Sequence, residues 1–189
     1  MIKNHPISDL FKENLNIYMP VYHVVSDRKL DHIRCLYPYK NIDQFEKDLA
    51  FFQKRFHPIT PEQLWEHVSQ GIKLPERPIL LTFDDGIREQ YTTIAPMLKE
   101  KGFSAMFFVT TGFIDNRRLF YRMKASLLLS HFASTPPMEA LADEWSRDAG
   151  YQAAAAVIRE TTYGNRHRLD DMAAALGISF EEYLLSWAS

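Results

Sequence analysis

The chain has 189 residues, 46 % hydrophobic and 24 % charged, which is enough for one ordinary globular domain with a sizeable core. Its formal net charge of −2 argues against a nucleic-acid binder, which carries a basic excess. Cys35 is the only cysteine, so an internal disulfide is excluded. The first twelve residues have no apolar signal core and no run reaches membrane-spanning length, which makes the expected location cytoplasmic on sequence alone.

In chain order, the first element is a strand within Asn16 to Val25, carried by Ile17, Met19, Val21, Tyr22, Val24 and Val25 and ended by the polar run Ser26-Asp27-Arg28-Lys29. His23 therefore falls near its carboxyl end. Arg28 to Tyr39 reads as a loop. Phe45, Leu49, Phe52 and Phe56 recur at helical spacing and predict an amphipathic helix over 42–56. His57-Pro58-Ile59 reads as an extended link. Thr60-Pro61-Glu62-Gln63 is a capping box with proline at the first helical position, and the helix it opens is expected to stop at Gly71.

The most informative stretch follows. Pro78-Ile79-Leu80-Leu81-Thr82-Phe83 is apolar on both faces and ends abruptly in Asp84-Asp85-Gly86. This predicts a buried parallel strand whose carboxyl end carries two adjacent carboxylates, with Gly86 turning the chain into a helix over 87–101. Pro96 should kink or restart that helix. A second buried strand is expected over 104–110, after which Thr111-Gly112 opens a loop at the same rim. Strand alternating with helix argues a parallel sheet, and α/β sheets and barrels build their sites at the carboxyl ends of their strands.

Adjacent carboxylates repel, so both stay ionised only beside a cation or several donors. One could hold a metal while the other takes a proton from bound water. The plainer alternative is a turn in which an aspartate caps the following helix. The same choice applies to His23, which either joins a site or simply bonds backbone.

Thr82-Phe83-Asp84-Asp85-Gly86, with the strand before it, the helix after it and Ala105-Met106-Phe107-Phe108-Val109 beyond, resembles the first motif of the polysaccharide deacetylases (NodB homology, carbohydrate esterase family 4). A looser likeness reaches back to Tyr22-His23 and forward to Phe113-Ile114-Asp115, so that about half the chain is covered. The resemblance implies an α/β fold, an incomplete (β/α) barrel of the NodB type with parallel strands. It implies a hydrolase that removes acetyl groups from a polysaccharide or oligosaccharide with a divalent metal, zinc above all. Carried over residue by residue, Asp84 is the catalytic base and Asp85 a metal ligand. His23 is a candidate second ligand, and Tyr22 and Phe113 are candidate substrate contacts. The family's action on cell-surface sugars points to the cell envelope, against the cytoplasmic default.

From Arg117 onward the texture is helical, with helices expected over 119–132, 138–149, 151–161, 168–176 and 180–187 and a capping box at Ser179-Phe180-Glu181-Glu182. The expected division is therefore a deacetylase-like part over 1–116 and a helical insertion or tail over 117–189. The family's paired histidines four residues apart are missing, since none of the seven histidines has a histidine four positions on. Asp85 alone cannot hold a zinc, which takes about three protein ligands. This predicts a chain shortened relative to a complete enzyme, with little activity alone. A three-stranded sheet would also leave an open edge, which predicts a homo-oligomer that completes the sheet, or a marginal fold. Two rivals to the hydrolase stand: a non-catalytic carbohydrate- or partner-binding remnant of the fold, in which Tyr22, Phe113 and Tyr121 matter more than Asp84, and an interaction surface formed by the helical part.

Overall fold

The computed structural model describes residues 16–134, 155–156, 158 and 160–188. By their contacts the described residues fall into two compact units. One comprises those up to Asp27 together with Tyr39–Thr110, and the other comprises Arg28–Pro38 and those from Thr111 onward.

The first unit is built on parallel strands. Strands β1 (Val21–Tyr22), β4 (Leu81–Asp85) and β5 (Ala105–Val109) form one sheet in the order β1-β4-β5, with both pairings parallel. In register, Tyr22 lies beside Phe83, Asp84 beside Phe108 and Asp85 beside Val109. A second, two-stranded parallel sheet joins β2 (His57–Pro58) to β3 (Pro78–Ile79). The apolar run expected to be one strand is therefore two. Pro78 and Ile79 pair with β2, Leu80 donates its N–H to the Tyr18 carbonyl at 3.0 Å, and the chain then enters the larger sheet at Leu81. His57-Pro58, expected as a plain link, is a strand. Its proline breaks no bond of this pairing, because the N–H groups that reach across come from its neighbours: His57 donates to the Arg77 carbonyl at 3.0 Å and Ile59 to that of Ile79 at 2.9 Å.

Helix α1 (Ile42–Arg55) and helix α2 (Pro61–Gln70) both begin with complete capping boxes, Asn41 with Gln44 and Thr60 with Gln63. Helix α2 ends on Gly71 at φ 71°, a left-handed position that favours glycine. After Gly86 the chain is helical from Arg88, but through a π turn, Gln90–Ile94, before helix α3 (Ala95–Lys101). Here the Ala95 N–H reaches back five residues to the Gln90 carbonyl. The expected disturbance at Pro96 thus takes the form of a widened turn. In a regular helix the proline ring would press on the carbonyl four residues back, Thr92, and the wider turn relieves that contact.

The core of this unit lies on one face of the larger sheet. Leu81 and Phe83 pack with Phe45 and Leu49 of α1, Ile94 and Leu98 of the following helix, and Phe103. Tyr22, Phe83 and Phe107 stack in sequence across β1, β4 and β5, with centroids 5.7 and 5.0 Å apart. Strand β5 departs from its expected burial. Among the described residues it is an edge strand, and Phe107, Phe108 and Val109 are 40, 49 and 52 % exposed.

In the second unit, a 3₁₀ segment (Thr111–Asn116) precedes helix α4 (Tyr121–Ser134), and helices α5 (His167–Ala175) and α6 (Phe180–Ala188) follow. Leu128, Ile158, Leu169 and Ala173 form its core. The segment Arg28–Pro38, read from sequence as a loop, is latched onto α4. The buried Ser126 and Ser130 hydroxyls both donate to the Asp31 carbonyl, at 2.7 and 3.0 Å. Ser179 caps α6, accepting the Glu182 N–H at 3.3 Å. The helix expected over 138–149 and most of that over 151–161 lie outside the described residues.

Candidate functional site

Strand β4 delivers Asp84 and Asp85 to the carboxyl edge of the larger sheet, both half-buried. Asp85 is at φ 78° and Gly86 at φ 69°, so the strand is stopped by two successive left-handed residues. Aspartate tolerates this region better than most residues do, but still at a cost of about 1 kcal/mol. Gly86 is required for a second reason. A Cβ built there would lie 2.9 Å from Val109 Cγ1 on the neighbouring strand, closer than carbon atoms approach.

Because β1 and β4 are parallel neighbours, His23, one residue beyond β1, emerges at the same edge as the aspartates. A side chain that sequence reasoning did not single out ties these ends together. Gln90, only 4 % exposed, donates from Nε2 to the His23 carbonyl at 2.9 Å and to the Asp84 carbonyl. The signal was present in the pattern. Gln90 falls between Ile87 and Ile94 at helical spacing, a polar residue on an apolar face. Just below, the Thr82 hydroxyl donates to the Pro20 carbonyl at 3.2 Å, a second cross-link between the same strands.

Tyr22 is placed differently from its candidate role. Its ring packs against Phe45 and Phe83 within the sheet–helix layer, and its hydroxyl donates to Asp48 Oδ2 at 2.8 Å. Lys40 also contacts that carboxylate oxygen. Burial, then the bond to Asp48 and its negative charge, push the Tyr22 phenol well above its ordinary range. Phe113 belongs to the second unit, in the 3₁₀ segment, with its ring 5.5 Å from that of Phe120. Tyr121, in α4, meets the rings of Phe120 and Tyr163 at 5.0 and 6.2 Å. Two other histidines of the first unit are engaged with backbone: His57 Nδ1 lies 2.6 Å from the Glu76 carbonyl, and His67 Nδ1 2.7 Å from that of Ile72.

The donor chemistry at the rim is one histidine and two carboxylates, a set suited to a divalent cation in kind. It does not suffice in geometry: among the described residues no three His, Cys, Asp or Glu side chains come together as a metal site. The residues present therefore do not fit a complete catalytic metal centre. What the rim does offer is a half-buried carboxylate, Asp84, on a backbone pinned from the helix side, a suitable acceptor for a proton from an attacking water.

Residues 71–173 match the family described as polysaccharide deacetylase. No curated protein matches the chain. Among solved structures it is similar to a de-N-acetylase from Aggregatibacter actinomycetemcomitans, at 18 % identity and a TM-score of 0.46 over 60 % of this chain and 51 % of that one. It is similar to the Streptococcus pyogenes deacetylase PplD, solved in complex with acetate, at 21 % identity and a TM-score of 0.46 over 59 and 51 % of the two chains. It is also similar to IcaB from Ammonifex degensii, at 22 % identity and a TM-score of 0.46 over 60 and 48 %. The chain spans about half the length of these structures.

Proposed function

This chain belongs to the polysaccharide deacetylase family, and from that premise we propose that its acidic rim serves the hydrolysis of acetyl groups on a carbohydrate polymer, with Asp84 as general base. The observation that carries the reading is the placement of Asp84 and Asp85 at the carboxyl end of a central parallel strand, with His23 at the end of its neighbour. Asp84 accepts a proton as a water oxygen bonds to the acetyl carbonyl carbon. Collapse of the tetrahedral adduct breaks the bond from carbon to the sugar nitrogen or oxygen, which takes up the proton held by Asp84; the carboxylate is regenerated and the acetic acid released ionises to acetate.

Asp85 and His23 are the proposed donors to a divalent cation, zinc, from this unit. Two donors fall short of the roughly three that a catalytic zinc takes, so no step is assigned to the ion. Phe113 is kept as a proposed sugar contact. Tyr22 is not, since its ring is packed in the core layer and its hydroxyl is bonded to Asp48. The carbohydrate substrate places the proposed site of action at the cell envelope. Among the described residues no helix is long and apolar enough to cross a membrane. The open edge of β5 is where a second chain would extend the sheet in the proposed homo-oligomer.

The shortage of donors favours one rival, a rim that binds carbohydrate without hydrolysing it. Acetate release from partly N-acetylated glucosamine oligomers, with zinc supplied, separates the two. Hydrolysis predicts release that falls by about 100-fold or more in Asp84→Asn, the scale of a lost general base. Oligomer binding with no acetate released, unchanged in Asp84→Asn, refutes the hydrolase reading.

A further inference from the structure

Among the described residues, Gln90 is the one buried amide side chain of the first unit aimed at the rim that the proposed chemistry uses, and it acts on backbone rather than on substrate. Its two N–H bonds are shared between two different strands: one goes to the carbonyl of His23, which follows β1, the other to the carbonyl of Asp84 in β4. Beyond Tyr22 and Phe83 the ladder between these strands ends. The amide thus takes over where strand pairing stops, at the level of the residues proposed to act.

The side chain reaches this position from a π turn, which inserts an extra residue into the helical winding between Gly86 and Pro96. Such turns are often found beside functional sites. An apolar residue of the same length would fill the space but leave two carbonyls without this donor, and a buried polar group left unsatisfied is costly. Hydrophobic packing therefore does not explain the choice of glutamine.

We propose that Gln90 is a positioning residue: it fixes the spacing between the ends of β1 and β4 and so holds Asp84 in place beside His23. The proposal rests on the reading of Asp84 as base, and its test is arranged so that the two can fail separately.

The full chain is compared with Gln90→Met, which keeps the length and removes both donors, and with Gln90→Asn, which keeps the amide on a shorter stem. Acetate release is measured with zinc and partly N-acetylated glucosamine oligomers, alongside amide hydrogen exchange. Gln90→Met is expected to lower kcat by about 10- to 100-fold, the cost of a misplaced catalytic group, while KM stays within about twofold. Gln90→Asn should fall between it and the unaltered chain. Exchange should quicken at the β1–β4 rim and keep its rate in the β4–β5 ladder. A kcat for Gln90→Met within about twofold of the unaltered chain overturns the proposal. So does a loss of exchange protection throughout the unit, because that marks a general packing role. If the unaltered chain releases no acetate, the hydrolase reading fails. The positioning inference is then decided by exchange alone: it holds if quickening in Gln90→Met is confined to the rim and falls if the rates are unchanged.

Discussion

Replacing Gly86 by alanine tests whether the turn after the acidic pair is as constrained as its geometry indicates. In most loops glycine to alanine is neutral or stabilising by about 0.4–1 kcal/mol, because alanine restricts the unfolded chain. Two effects reverse the sign here. Gly86 sits at φ 69°, where a side-chain-bearing residue costs about 1–2 kcal/mol. The new Cβ would also lie 2.9 Å from Val109 Cγ1, so the valine must leave its rotamer, at about 1 kcal/mol. Net of that unfolded-state gain, Gly86→Ala should therefore destabilise the first unit by about 1–2.5 kcal/mol. Val109 is half exposed, so the steric share is separable. In a double-mutant cycle, Val109→Ala should recover about 1 kcal/mol of the loss and leave the backbone share in place. Native-state amide exchange at Thr82, whose N–H is bonded to the Pro20 carbonyl at 3.1 Å, reads the stability of this unit apart from the other. A Gly86→Ala protein as stable as the parent, or more so, refutes the left-handed turn. Additive effects of the two substitutions refute the contact with Val109.

Tyr22→Phe should cost about 1 kcal/mol at neutral pH through loss of the bond to Asp48. The folded phenol titrates above the unfolded one, so its contribution is complete below about pH 10 and is lost as pH rises beyond that value; alkaline unfolding curves of the parent should fall where those of Tyr22→Phe stay flatter. His32, in the second unit, is shifted the other way: burial, partly offset by the charge of Asp31, lowers it to about 4. Neutral His32 therefore stabilises above the unfolded value of about 6.5, and that contribution is lost as pH falls from there towards about 4. Acid unfolding followed by exchange at α4 amides should show this slope in the parent and a reduced one in His32→Phe.

What the sequence made legible was local. The capping box at Thr60 with Pro61, the stop at Gly71 and the turn at Gly86 are short-range patterns, and each is found where its residues place it. The equivalent box at Asn41-Ile42-Asp43-Gln44 has the same signature, but the aromatic spacing beyond it is the stronger pattern in that stretch. Pairing between distant segments was less legible. Nothing in Pro78 to Phe83 shows that its first two residues belong with His57-Pro58 and the rest with Val21-Tyr22 and β5, because the partners lie far away in sequence. Ala105 to Val109 is apolar throughout, so it reads as buried. Hydrophobicity records what a strand could pack against, and among the described residues β5 has a strand on one side only. The rim itself was legible as far as the acidic pair and His23. Gln90 was not, because a polar residue on an apolar helix face reads as a flaw until the carbonyls it serves are in view.

The physical case that the rim is more than a strand terminus rests on residues that a mere terminus would not need. Glycine at position 85 would make the left-handed turn without strain, yet an aspartate stands there at φ 78°. Leucine at position 90 would fill an apolar helix face, yet a glutamine is buried there and both of its donors go to strand-end carbonyls. Each choice costs stability locally, by roughly 1 kcal/mol for the backbone and by the desolvation of an amide for the side chain. The two costs fall within six residues of one another and on the same strand end. Backbone strain and buried polar networks concentrated in this way are characteristic of sites where a charged group must be held at a set position. The backbone so held is that of Asp84, the residue proposed as the base, with Asp85 beside it. That convergence, to which Gln90 contributes from outside the motif by which the family is recognised, is the reason to look for chemistry at the end of β4 rather than at the exposed aromatics of β5.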